Sequence, residues 1–128
     1  MIVDTSAVLA VIFREPECDR FLEKIGAART VGIGAPTLVE SAIVLGARLG
    51  ETGPVQLSRM LDRAAFVVVA FEVQHWQVAA DAWRRFGRAR HPASLNFGDC
   101  LAYATARVAD EPLLCKGDDF AKTDLVLA

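Results

Sequence analysis

The sequence predicts an α/β fold of three layers, a central and mainly parallel sheet flanked by helices on both faces. Three observations lead there. Apolar runs of strand length alternate with longer stretches of helical periodicity along the chain. Phe66-Val67-Val68-Val69 is apolar throughout and rich in β-branched residues, the pattern of a strand covered on both sides. The segments between strand candidates are long enough for the helical crossovers that parallel strands require.

Taken in order, Ile2-Val3 opens the chain as a strand. Ser6 to Phe13 reads as a helix that Thr5 or Ser6 can cap. Pro16 fits the first turn of a second helix, running to Gly26. Val31-Gly32-Ile33 is a strand candidate. After Pro36 comes a strongly apolar helix, Thr37 to Leu49, closed near Gly50. Its apolar residues lie almost all round, which predicts burial. Gly53-Pro54 opens a helix to Ala64, and the Phe66–Val69 strand follows. Glu72 to Arg88 is a long helix in which Trp76, Trp83 and Phe86 fall at core spacing. Residues 89–96, with His91-Pro92, read as a loop. Phe97 to Val108 is helical, Pro112 to Cys115 is a strand, and Leu125-Val126-Leu127 a last one.

At 128 residues the chain fits one domain, 1–128. Its hydrophobic fraction of 53% exceeds what one core of this size needs. The surplus predicts a homodimer through the apolar faces of Thr37–Leu49 and Gly53–Ala64. No apolar run reaches the length of a membrane span. No basic stretch precedes an apolar run at the N-terminus. Three cysteines without a CxxC pair point to thiols in a reducing compartment, hence the cytoplasm. A net charge of −2 is unlike most nucleic-acid-binding domains, though a cluster of acids at a catalytic site would itself lower the balance.

The position of certain acids is the informative feature. Asp4 directly follows the first strand. Glu40 sits inside Thr37-Leu38-Val39-Glu40-Ser41-Ala42-Ile43, and Asp99 inside Phe97-Gly98-Asp99-Cys100-Leu101-Ala102. Asp118 and Asp119 follow the strand Leu113–Cys115. Singly, each has an ordinary explanation: a helix cap for Asp4 or Asp99, a buried ion pair for Glu40, a solvated turn for Asp118-Asp119. Together they place several acids against the core. A divalent cation explains all of them, because it offsets the repulsion and desolvation of crowded carboxylates. Oxygen-only donors select a hard ion, Mg²⁺ or Mn²⁺. Asp4 and the Gly117-Asp118-Asp119 turn also fall beyond strand ends, where open parallel sheets bind ligands. The only histidines, His75 and His91, have no zinc-type spacing.

Met1-Ile2-Val3-Asp4-Thr5-Ser6-Ala7, Pro36-Thr37-Leu38-Val39-Glu40, Asn96-Phe97-Gly98-Asp99-Cys100-Leu101-Ala102-Tyr103-Ala104 and Lys116-Gly117-Asp118-Asp119-Phe120 together resemble the motifs of PIN-domain proteins. More narrowly they resemble the VapC toxins of bacterial type II toxin–antitoxin systems. The similarity spans essentially the whole chain. It implies a PIN-like three-layer fold and a Mg²⁺-dependent endoribonuclease. It also implies a homodimer and a VapB-type antitoxin partner that occupies the active-site groove.

By the same resemblance, Asp4, Glu40 and Asp99 match the first three family acids, with Asp118 or Asp119 as the fourth. Asp4 and Asp99 are then the main metal ligands, with Glu40 and the fourth acid holding water or a second ion. Thr5 or Ser6, and Asn96, support them. Arg84, Arg85, Arg88 and Arg90 form a basic run before Asp99, readable as an RNA-phosphate contact or as a solvated helix end. Two other readings stand beside this one. A catalytically silent PIN-like binding module is the first, and the filled acid positions count against it. A haloacid-dehalogenase-type phosphatase is the second; it wants Asp two residues after Asp4, where this chain has Ser6.

Overall fold

The computed structural model describes all 128 residues. Its elements run β1 (Ile2–Val3), α1 (Thr5–Ile12), α2 (Cys18–Ala27), β2 (Gly32–Gly34), α3 (Ala35–Leu49), α4 (Thr52–Arg63), β3 (Val67–Val69), α5 (Val73–Phe86), α6 (Phe97–Ala109) and β4 (Leu113–Leu114), with a 3₁₀ turn at Phe120–Lys122. All four strands are parallel, in the order β3-β2-β1-β4.

The pleat divides the core. Ile2 of β1 and Leu113 of β4 point into one apolar cluster, with Ala82, Phe86, Tyr103 and Ala106 of α5 and α6. The next residues, Val3 and Leu114, point into the other, with Val8, Phe21, Ile25, Leu45 and Leu57 of α1 to α4. Two helical layers thus sandwich the sheet, as expected. The chain moves from β1 outward through β2 to β3, then returns along the opposite face to place β4 on the other side of β1. The order therefore reverses between β1 and β4. That reversal is where a parallel sheet opens a crevice at its carboxyl edge.

Several expectations need correcting. The Phe66–Val69 strand is not covered on both sides: β3 is the sheet edge, and Val67 and Val68 are each about half exposed. A run of valines reports β-propensity, not position in the sheet. The α3 helix buries only one stripe, Thr37, Ser41 and Leu45, and leaves Val39 and Ile43 exposed. Trp76 and Trp83 are 56% and 40% exposed, so of the three aromatics of α5 only Phe86 belongs to the core. The helix assigned to Ser6–Phe13 starts one residue earlier, and Asp4 rather than Thr5 or Ser6 caps it. The last strand candidate contributes one bridge, Leu127 to Leu113.

The exposed apolar side chains of α3, with Val55 of α4, fit the expected dimer. Light scattering at micromolar concentration is expected to give twice the 13.8 kDa chain mass. Val39→Lys with Ile43→Lys is expected to return it to monomer mass without loss of helix content.

Candidate active site

Each candidate acid sits at a position that the local chain dictates. Asp4 is the N-cap of α1; its Oδ2 accepts from the Ser6 backbone N–H at 2.9 Å and the Ser6 hydroxyl at 2.6 Å. Asp99 is the third residue of α6, where it closes a reciprocal cap with Asn96. Asn96 Oδ1 accepts from the Asp99 N–H at 3.0 Å, and Asp99 Oδ2 accepts from the Asn96 N–H at 2.7 Å. Two helix N-termini therefore aim their partial positive charge at two carboxylates. Glu40 stands on the second turn of α3, and its Oε2 accepts from the Thr5 hydroxyl at 2.6 Å.

The two hydroxyl candidates therefore both act, on different acids: Thr5 on Glu40, Ser6 on Asp4. Ser6 Oγ also accepts from the Lys116 backbone N–H at 2.9 Å, which ties the end of β1 to the end of β4. Lys116 is then clamped by Glu15 and Glu17 at 2.7 and 3.0 Å. Gly117, at φ 91°, turns the chain toward Asp118 and Asp119. Phe120 is buried and anchors that turn in the α5–α6 cluster.

Charge separates the two candidates for the fourth acid. Burial pushes the Asp99 carboxyl above its ordinary value, and Asp119 and Glu40 push it further by repulsion, against the Asn96 hydrogen bond and the Arg88 charge. Burial likewise raises Asp4; the Ser6 bonds oppose that rise, and the Asp99 and Glu40 charges add to it. Burial raises the Cys115 thiol to about 12, helped by Asp4, Asp99 and Asp119. Asp119 thus acts on Asp99 and Cys115, whereas Asp118 is not among the leading causes of these shifts.

The three anchored acids have one arrangement in common. Each has one oxygen held by a protein donor, while Asp4 Oδ1, Asp99 Oδ1 and Glu40 Oε1 take no protein hydrogen bond. None of these three atoms is buried without a partner. No three acidic groups are close enough to enclose a cation by themselves. The structure therefore does not bring the expected four acids together as one ligand set, and a cation here would take only one or two carboxylates and complete its shell with water, the way Mg²⁺ is commonly bound.

The arginine run divides. Arg84 pairs with Asp81 at 2.6 Å. Arg85 pairs with Asp124 at 2.8 Å and lies 4.5 Å over the Phe86 ring, while Tyr103 donates to the same Asp124 at 2.6 Å. Arg85 is thus a tie between α5 and the C-terminal segment. Arg88 and Arg90 are exposed and form no ion pair, and Arg88 alone of the four acts on Asp99. Sequence reasoning missed Gly98. A Cβ there would lie 2.6 Å from Glu40 Oε1, so its missing side chain is what Glu40 occupies. A concavity of 1290 Å³ lies elsewhere, lined by residues of α1, α2 and α4, and none of the candidate acids lines it.

A parallel sheet that gathers helix-borne carboxylates at its order reversal is the class of protein defined to this point. Residues 1–126 match the PIN domain family. Ribonuclease VapC30 of Mycobacterium tuberculosis is 39% identical over 125 residues, 98% of this chain and 95% of that protein. Two solved structures share the fold. One is M. tuberculosis VapC20, a Sarcin-Ricin loop cleaving toxin (TM-score 0.80, 17% identity, 99% of this chain and 97% of that one). The other is VapBC2 from Rickettsia felis bound to a DNA fragment from their promoter (TM-score 0.79, 15% identity, 99% and 96%). The chain belongs to the PIN-domain family, and within it to the VapC ribonucleases.

Proposed function

We propose that this chain is a Mg²⁺-dependent endoribonuclease and the toxin of a pair completed by a VapB-type antitoxin. The observation that carries this reading is the set of anchored carboxylates, Asp4, Glu40 and Asp99, each with one oxygen held by the protein and one free of protein donors, in a VapC-family chain, with the Asp119 charge acting on Asp99. PIN-domain ribonucleases in general depend on a divalent metal, and Mg²⁺ is the ion this donor set favours. When bound, it would polarise the scissile phosphate and lower the pKa of the attacking water.

The residues of the chain do the rest. Asp4 and Asp99 would hold the cation, each fixed by its cap so that its second oxygen stays free of protein donors. Thr5 leaves Glu40 Oε1 as the open acceptor, placed to take a hydrogen bond from water. Arg88 and Arg90 meet RNA phosphates that the acids alone would repel. A short RNA cut in Mg²⁺, uncut in excess chelator and cut again on adding Mg²⁺ or Mn²⁺ is the expected result. Cleavage unaffected by chelator would reject the metal-dependent reading.

The division of the arginines is open to test. Arg88→Ala with Arg90→Ala is expected to weaken RNA binding, and to lower the slope of log affinity against log salt by about 1 for each phosphate no longer neutralised. Arg84→Ala, whose charge already faces Asp81, is expected to leave that slope near its wild-type value.

A further inference from the structure

We infer that Gly98 is a positioning residue for Glu40, and that the missing side chain at this one position sets where the Glu40 carboxylate stands. The inference rests on the proposed role of Glu40 in cleavage. A Cβ built on Gly98 would meet Glu40 Oε1 at 2.6 Å, Oε2 at 3.0 Å and the carboxyl carbon at 3.1 Å. All three atoms of the carboxylate group lie against one backbone carbon of α6.

Glu40 cannot retreat from such a Cβ without loss. Its Oε2 is held at 2.6 Å by Thr5, and Thr5 is 8% exposed at the start of α1. The carboxylate is thus gripped from α1 and seated on α6 while its own backbone belongs to α3. Oε1, the oxygen free of protein donors, is also the atom nearest the Gly98 site. An added methyl group would displace the very oxygen that no protein donor holds.

The backbone at position 98 does not require glycine. Gly98 is within a helix and is not among the residues with a left-handed backbone. In such a place alanine favours the helix over glycine. A merely structural residue would therefore gain stability from Gly98→Ala and lose no activity. A residue that makes room for a carboxylate would lose activity with no backbone defect.

The experiment compares Gly98→Ala, Glu40→Asp, Glu40→Gln and the double variant Gly98→Ala/Glu40→Asp, with Gly26→Ala as a control. Gly26 lies inside α2 with open space around its Cβ position. Three quantities are read: melting temperature without metal, the rise in melting temperature on adding Mg²⁺ in the absence of RNA, and the kcat and KM for an RNA oligonucleotide. Gly98→Ala is expected to lower kcat by about 10- to 100-fold, the range for losing a group that orients metal ligands, with KM little changed. The Mg²⁺-induced rise in melting temperature is expected to shrink as well. Aspartate is one methylene shorter, so the double variant is expected to recover at least about tenfold over Gly98→Ala, beyond what two independent losses would give.

Wild-type kcat in Gly98→Ala, with Glu40→Gln inactive, would overturn the positioning role alone. So would a Gly98→Ala defect that Glu40→Asp does not relieve. Full activity in Glu40→Gln would remove the functional reading of Glu40 itself. Should Gly98→Ala fail to fold, folding restored in the double variant would still place the clash at Glu40, and its absence there would reject it.

Discussion

Asp4→Asn and Asp99→Asn are each expected to lower RNA cleavage by more than about 100-fold, the upper end of the loss caused by disturbing groups around metal ligands. Both are also expected to raise the melting temperature of the metal-free protein at neutral pH. The two outcomes have one cause. Burial and mutual repulsion hold both carboxyls above their ordinary value of 3.8, so ionised acid is unfavourable at these positions. Asparagine removes the charge and keeps the caps. At position 4 its oxygen can still accept from the Ser6 N–H and hydroxyl, and at position 99 from the Asn96 N–H. Alanine would lose those caps too, at a cost of about 1 kcal/mol each.

The sign with pH follows. A carboxyl whose pKa is raised on folding contributes stability below its unfolded value, and that contribution is lost as pH rises through the folded value. The metal-free wild type is therefore expected to lose stability as pH climbs from about 4 toward neutrality, and each asparagine variant to lose less. Mg²⁺ is expected to restore the wild type at neutral pH and to do little for the variants. Melting curves across pH with and without Mg²⁺ would show this. Identical pH profiles in all three proteins would mean that these carboxyls are not under strain.

Phe120→Ala is expected to cost about 3–5 kcal/mol of stability. Its ring is 3% exposed and packs in the α5–α6 cluster, yet it belongs to a three-residue 3₁₀ turn with little hold of its own. A denaturant midpoint would record the loss, with Phe120→Leu recovering most of it because the swap keeps bulk. Cleavage is expected to fall as well, even at a temperature where the variant is folded, because Asp119 immediately precedes the anchor. If Phe120→Ala cuts RNA at the wild-type rate under such conditions, Asp119 does not need its present place.

The acids were readable in the sequence because charge in apolar company is costly and so demands a reason. Asp4, Glu40 and Asp99 each stand out on that ground. Their partners Thr5, Ser6 and Asn96 could be named but not assigned, since which hydroxyl meets which acid depends on how α1 packs on α3. The choice between Asp118 and Asp119 was open in the sequence for the same reason: adjacent residues point different ways, and their direction depends on the turn at Gly117. Gly98 gave no signal at all, because a glycine required by a neighbour 58 positions away in sequence looks like any other helix glycine. Val67, Val68, Trp76 and Trp83 misled in the opposite direction. An apolar residue reports that it prefers to leave water, not whether this chain or a second copy will cover it.

The crevice is closed by a pairing between β1 and β4, whose Ile2 and Leu113 meet across most of the chain. Synthesis runs from the N-terminus, so Asp4, Glu40 and Asp99 are all made before β1 has its second neighbour. The Lys116 N–H that holds Ser6 is made later still. A nascent chain that has not yet reached Leu113 therefore owns these acids and lacks the strand pairing that frames them. The order of synthesis delays nuclease assembly beside the RNA from which it is being read.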